Sequence, residues 1–225
     1  MEITELNPKI VWKYFHEITQ VPRPSKKEGK IIAYLEKFAK EHGIEYKKDH
    51  VGNIVMSKPA TPGYEDRVKL ILQSHVDMVC EKNAGTEHDF DNDPIRTIVD
   101  GEWLHADGTT LGADNGIGCA AQLAILASDD IEHGPIEALF TIDEETGMTG
   151  AFELRPGFLT GKILINLDSE DEGELFIGCA GGKGIVATFT PEYQEAPQGL
   201  TWLRASVSGL KGGHSGGEIH CGLGN

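Results

Sequence analysis

The residues of this sequence that could do chemistry stand directly after its apolar runs. His75 and Asp77 follow residues 68–72, Glu144 and Glu145 follow 136–142, and Asp168 follows 163–167. Asp114 lies in Leu111-Gly112-Ala113-Asp114-Asn115-Gly116, just ahead of a small-residue apolar segment. Nitrogen and oxygen donors without a thiolate suit zinc, manganese or cobalt better than a structural cysteine zinc site. Two divalent ions a few ångströms apart, bridged by a carboxylate and a hydroxide, would suit hydrolysis of an amide.

Each stretch alone also has a plain reading. His75-Val76-Asp77 could be a surface pair; otherwise the two side chains share a face of an extended segment, or a turn sets the carboxylate behind the imidazole, fixing its tautomer. Asp143-Glu144-Glu145 could be a solvated acidic turn, or one glutamate could bind a metal while the other points at a water. Asp114 and Asp168 could serve as caps, since Asp is a favoured N-cap. What favours chemistry is their company. In open α/β folds, ligands gather at the carboxyl ends of strands, and these groups fall there together.

The elements that must position them follow from the apolar spacing. Asn7-Pro8 predicts a helix start, with Asn as cap and Pro at the first helical position, ahead of Ile10, Val11, Tyr14, Phe15 and Ile18. Val21-Pro22-Arg23-Pro24 breaks that helix. Ser25 and Glu28 predict a capping box for a second helix with the stripe Ile31, Ile32, Leu35, Phe38 and Ala39, ended at Gly43. Strands are expected over 44–48, 53–57, 68–72, 136–142 and 162–167, with a hairpin over 98–103 turning at Asp100-Gly101 and a buried helix over 117–127. Residues 80–97 are polar and irregular, as in a long functional loop. Strands alternating with helices predict an α/β, three-layer catalytic domain with a mostly parallel central sheet over residues 1–183. From 184 the texture changes. Residues 185–191 and 201–207 are expected to be strands opening a second, β-rich α+β domain over 184–225, whose remainder is absent.

Composition narrows the partners. The 225 residues include 20 Lys+Arg against 36 Asp+Glu, a formal net charge of -16. Such a surface repels phosphate backbones and anionic lipid, which argues against nucleic-acid or membrane-surface binding. The acidic, mixed N-terminus does not read as a signal peptide, and no apolar run reaches the ~18 residues of a membrane span. Cys80, Cys119, Cys179 and Cys221 are scattered, without a Cys-x-x-Cys pair. They read as thiols in a reducing cytoplasm.

The ordered stretches Ser74-His75-Val76-Asp77-Met78-Val79, Gly112-Ala113-Asp114-Asn115-Gly116, Asp143-Glu144-Glu145-Thr146-Gly147, Asn166-Leu167-Asp168-Ser169-Glu170 and Gly212-Gly213-His214-Ser215-Gly216 resemble a known family. It is the aminoacyl-histidine dipeptidases, the peptidase D-like or cytosolic nonspecific dipeptidase group of the wider di-zinc exopeptidase class. The resemblance covers essentially the whole chain. It implies metal-dependent hydrolysis of dipeptides, of Xaa-His type with broad specificity. Two divalent ions are implied, zinc first, with cobalt or manganese as alternatives. His75 and Asp168 would hold one ion and Glu145 the other, with Asp114 bridging them through a cis peptide to Asn115. Asp77 would orient His75. Glu144 would be the general base acting on the bridging water, returning the proton to the leaving amine. His214 would contact the substrate carbonyl or oxyanion from the second domain. In this family that domain is an inserted lid, often used for dimerisation, and the chain then returns to supply a further His ligand. The sequence stops at Asn225, before that return. The resemblance therefore implies an N-terminal piece with one ion under-ligated, and a homodimer for the full-length protein.

Three other readings are open. A related deacylase or carboxypeptidase could use the same core. The piece could bind metal yet be inert. A nucleotide-binding module is suggested by Gly178-Cys179-Ala180-Gly181-Gly182-Lys183-Gly184, but its spacing is one residue short of a phosphate loop and no Ser/Thr follows the Lys.

Overall fold

The computed structural model describes residues 2–169, 173–179, 181, 185–212 and 219–223. Two compact units are present, Met1–Ile177 and Gly178–Asn225. In the first, helices α1 (Lys9–Thr19) and α2 (Gly29–Glu41) precede strands β1 (Glu45–Lys48), β2 (Ile54–Lys58) and β3 (Leu70–His75). The hairpin β4 (Thr97–Asp100) and β5 (Trp103–Ala106) leads to α3 (Ala113–Ala127), β6 (Ile136–Thr141), the short α4 (Glu144–Gly147) and α5 (Thr149–Phe152), and β7 (Ile163–Asn166).

The sheet order is β1-β2-β6-β3-β7. β6, β3 and β7 run parallel, while β2 joins β6 and β1 joins β2 antiparallel. The carboxyl ends of the three parallel strands therefore share one edge of the sheet. Alternation sets the two faces. Ile54, Met56, Ala138 and Phe140 face the main core, built with Phe15, Ile18, Leu35, Phe38 and Leu123 of the three helices. Val55, Ile71 and Leu139 point the other way, beneath Leu154, Phe158 and Leu159. Burying each large apolar side chain contributes about 1.5–3 kcal/mol, so this packing fixes the sheet edge despite the surplus of negative charge.

Several local expectations are corrected. Asn7 does not cap α1 with its side chain; Pro8 occupies the cap position in extended backbone (φ -74°, ψ 128°), so the helix opens one residue later at Lys9. The Ser25–Glu28 capping box does not form. Ser25 Oγ instead donates to Asp77 Oδ2 at 2.7 Å, and the Glu28 carboxylate accepts from the N–H groups of Lys26 (2.8 Å) and Asp143 (3.0 Å). A buried carboxylate that needs donors takes the serine away from the helix end. β3 extends past the apolar run to His75. Its polar Gln73 is satisfied laterally, donating to Thr141 Oγ1 at 3.1 Å and accepting from Asn166 Nδ2 at 2.6 Å. The hairpin pairs Asp100 with Trp103, so its turn residues are Gly101-Glu102. Residues 185–207 carry no strand in the structure. A strand exists only when its N–H and C=O groups find a ladder, and among the described residues nothing pairs with this stretch.

Candidate metal centre

His75 ends β3 with its side chain 1 % exposed. Four carboxylates, from three other chain segments and its own turn, stand around it. Nε2 lies 2.8 Å from Asp114 Oδ1, 3.6 Å from Asp168 Oδ1 and 4.0 Å from Glu144 Oε2. Nδ1 lies 3.3 Å from Asp77 Oδ1. That contact lacks hydrogen-bond alignment, leaving Nδ1 a buried polar atom without a hydrogen-bond partner. The turn thus sets Asp77 behind the imidazole, one of the arrangements the His-x-Asp spacing leaves open.

Asp77 also ties the site to the next element. It is fully buried, and its Oδ1 and Oδ2 accept the first N–H groups of α4, from Glu144 at 3.0 Å and Glu145 at 3.2 Å. These free N–H groups make a helix start receptive to an anion. Burial works against ionising Asp77, but His75, the Glu144 N–H and the Ser25 hydroxyl together hold its pKa down at about 2. Asp143 turns the chain out of β6 in the left-handed region (φ 49°). Its carboxylate accepts from the hydroxyls of Thr146 and Thr149, and its N–H is held by Glu28. This anchored turn brings the carboxylates of both Glu144 and Glu145 to the His75 cluster.

Asp114 stands at the start of α3, where it and Asn115 depart from helical backbone; the peptide between them is cis. Asn115 Nδ2 donates to Leu167 O at 3.1 Å and to Asp168 Oδ1. This side chain therefore links the start of α3 to the end of β7. Gly118 must be glycine for that link, since a Cβ there would collide with Asn115 Oδ1.

In each of three sets the donor atoms lie within 4.8 Å of one another: His75/Asp114/Asp168, His75/Glu144/Glu145 and Glu28/Asp77/Asp143. With Asp77 3.3 Å from His75, all six candidates outside the second unit meet in one place. His214 lies outside the described residues. Burial works against protonation of His75, yet Asp114, Asp168 and Asp77 push its pKa up to about 12, making it the cation of an acidic cluster. Burial, and then Asp114, push Glu145 up to about 7; Glu144 is raised by burial and by Asp168, Asp114 and Asp77. Carboxylates this crowded resist full ionisation unless a positive charge joins them. An oxygen and imidazole donor set in which carboxylates outnumber the one imidazole fits divalent ions of the zinc, manganese and cobalt kind.

Sequence reasoning missed Ser25, Glu28 and Asn115 as supports of this site. The first two are legible only as capping residues, and Asn115 carries no sign of its reach to β7. A cavity of 190 Å³ adjoins Glu144 and Asp168, walled by Leu139, Thr141 and Leu164. A larger cleft of 630 Å³ around Ser57, Lys69 and His133 borders none of the candidate residues.

This α/β layering with an imidazole–carboxylate cluster at the strand ends is that of a metallopeptidase catalytic unit, and residues 71–192 match peptidase family M20/M25/M40. The chain belongs to that family. It is 50 % identical over 224 residues to the cytosol non-specific dipeptidase of Escherichia coli strain K12, covering 100 % of this chain and 46 % of that protein. Among solved structures it resembles aminoacylhistidine dipeptidase from Vibrio alginolyticus at 54 % identity and a TM-score of 0.76, over 77 % of this chain and 35 % of that one. A tripeptidase from Staphylococcus aureus matches at 26 % identity and a TM-score of 0.61, over 73 % and 44 % of the two chains. The chain spans about half the length of the curated relatives it matches. Among the described residues, no helix is long and apolar enough to cross a membrane.

Proposed function

We propose that this chain carries the metal-ligating core of a dipeptidase that hydrolyses Xaa-His and other dipeptides. The observation that carries the reading is the convergence of four carboxylates on one buried imidazole at the carboxyl edge of the sheet. The 50 % identity to a dipeptidase over the whole chain supports the substrate class.

In this reading His75, Asp114 and Asp168 hold one divalent ion, and Asp114 and Glu145 take part in holding a second. The ions, when bound, supply a Lewis acid for the scissile carbonyl and lower the pKa of water. Asp77 keeps the His75 ring oriented. Glu144 accepts a proton from the attacking water. As the C–N bond breaks, it returns that proton to the leaving amine, so the carboxylate is regenerated. Its pKa, raised by burial and by the neighbouring carboxylates, suits a group that must take a proton and then release it. His214 is assigned to the substrate carbonyl, and residues 184–225 to the start of a lid. The relative's name places that protein in the cytosol, and we assign the same compartment to this chain.

A panel of Xaa-His dipeptides, other dipeptides and N-acyl amino acids, assayed with added Zn²⁺, Co²⁺ or Mn²⁺, tests the substrate class. Dipeptides are expected to be turned over fastest. Preference for N-acyl substrates would move the protein to the deacylase side of its family.

A further inference from the structure

We propose that Arg23 is a positioning residue that sets the spacing between the two loops carrying His75 and Asp114; this rests on the two-ion reading above. Arg23 is 2 % exposed. Its Nη1 donates to Val76 O and Asp77 O, both at 2.9 Å, and its Nη2 donates to Gly112 O. The three carbonyls flank His75 and Asp77 on one side and Asp114 on the other. Among the described residues the guanidinium makes no ion pair. A buried charge without a carboxylate partner is costly, and the fold retains it to clasp backbone.

The surroundings are shaped for this clasp. Gly112 has φ +70°, and a Cβ there would collide with Arg23 Nη2 and lie 2.8 Å from Met78 Sδ. A Cβ on Gly116 would lie 2.8 Å from the same nitrogen. These two glycines, on either side of Asp114, let that loop close onto the guanidinium. Pro24 continues the contact as a bridge to Met78, and Ser25 reaches Asp77 Oδ2. Residues 23–25 thus lie as a splint along 76–78. The planar fork explains the residue type, since it serves several acceptors at fixed angles and the point charge of lysine does not.

Charge and geometry make opposite predictions. A buried cation repels incoming metal, so if Arg23 acted by charge, Arg23→Gln would tighten metal binding. If it acts by holding the loops, Arg23→Gln loosens binding, and so does Arg23→Lys, which keeps the charge but loses the fork.

The test is Co²⁺ affinity of the metal-free full chain, measured by competition with a chromophoric chelator, together with the visible spectrum of bound Co²⁺. Both variants are expected to lose about 10–100-fold in affinity, the range for residues that orient ligands, with altered Co²⁺ bands. Leu35→Ala, a core change in α2, is expected to lower the thermal midpoint while leaving affinity and bands unchanged. Unchanged or tighter binding in Arg23→Gln would overturn the assignment, as would an equal loss in Leu35→Ala. A wild-type chain that binds no Co²⁺ would instead overturn the two-ion reading itself.

Discussion

Glu144→Gln is expected to lower dipeptide turnover by about 10²–10⁴-fold, the usual contribution of a positioned general base, with the metal content unchanged. The substitution keeps size and shape, so α4 and its N–H bonds to Asp77 survive. What it removes is the capacity to hold a proton. The pH profile provides a second signature. Burial, reinforced by Asp168, Asp114 and Asp77, raises the pKa of Glu144 above its ordinary value. A base works when deprotonated, so wild-type activity falls as pH drops through this raised pKa, at a higher pH than an ordinary glutamate would give. That limb disappears in Glu144→Gln. Steady-state kinetics across pH, with metal analysis of the same samples, checks both points. Full activity at matched metal loading would remove Glu144 from the role of base.

His75→Ala is expected to abolish the binding of one ion and to cut turnover by ~10³-fold or more, the scale on which losing transition-state charge stabilisation is felt. Asp77, Asp114, Glu144 and Asp168 all lie within 4.0 Å of this ring, so its removal leaves them repelling one another across a void. Asp77→Asn should be milder, at about 10–100-fold in metal affinity. The amide preserves one acceptor for α4 but cannot accept from both Glu144 and Glu145 while also receiving the Ser25 hydroxyl. Isothermal titration with Zn²⁺ separates the two variants. Equal affinities in wild type and His75→Ala would contradict the ligand assignment.

These outcomes depend on groups of unequal legibility in the sequence. The apolar runs behind β2, β6 and β7 are readable because their length and alternation fit strands of a layered sheet. The runs of β3, β6 and β7 point to the sheet edge where His75, Glu144, Glu145 and Asp168 gather. β3 is only half readable: Gln73 and Ser74, ahead of its last residue His75, look like a loop, and their polarity is absorbed by neighbours from β6, β7 and α3 that no local pattern announces. Ser25 illustrates the limit from another side. Its spacing to Glu28 matches a helix cap, yet Asp77, 52 residues away, makes the stronger claim on its hydroxyl. Arg23 between two prolines reads only as a break between helices. Its contacts lie 53 to 89 residues along the chain, beyond any periodicity. Residues 185–207 have strand-like alternation, but a strand's partner comes from elsewhere in the chain, so the pattern alone does not decide it.

Everything proposed for this chain depends on the acidic cluster around His75 binding divalent ions and using them to cleave dipeptides. The most direct measurement is titration of Zn²⁺ or Co²⁺ into the exhaustively chelated full-length protein, following bound metal and Xaa-His hydrolysis in the same cuvette. No turnover is expected without metal, and recovery is expected to saturate at about two equivalents per chain, as a two-metal site requires. Full turnover in the chelated protein, or a chain that takes up no metal at the cluster, would contradict this assignment.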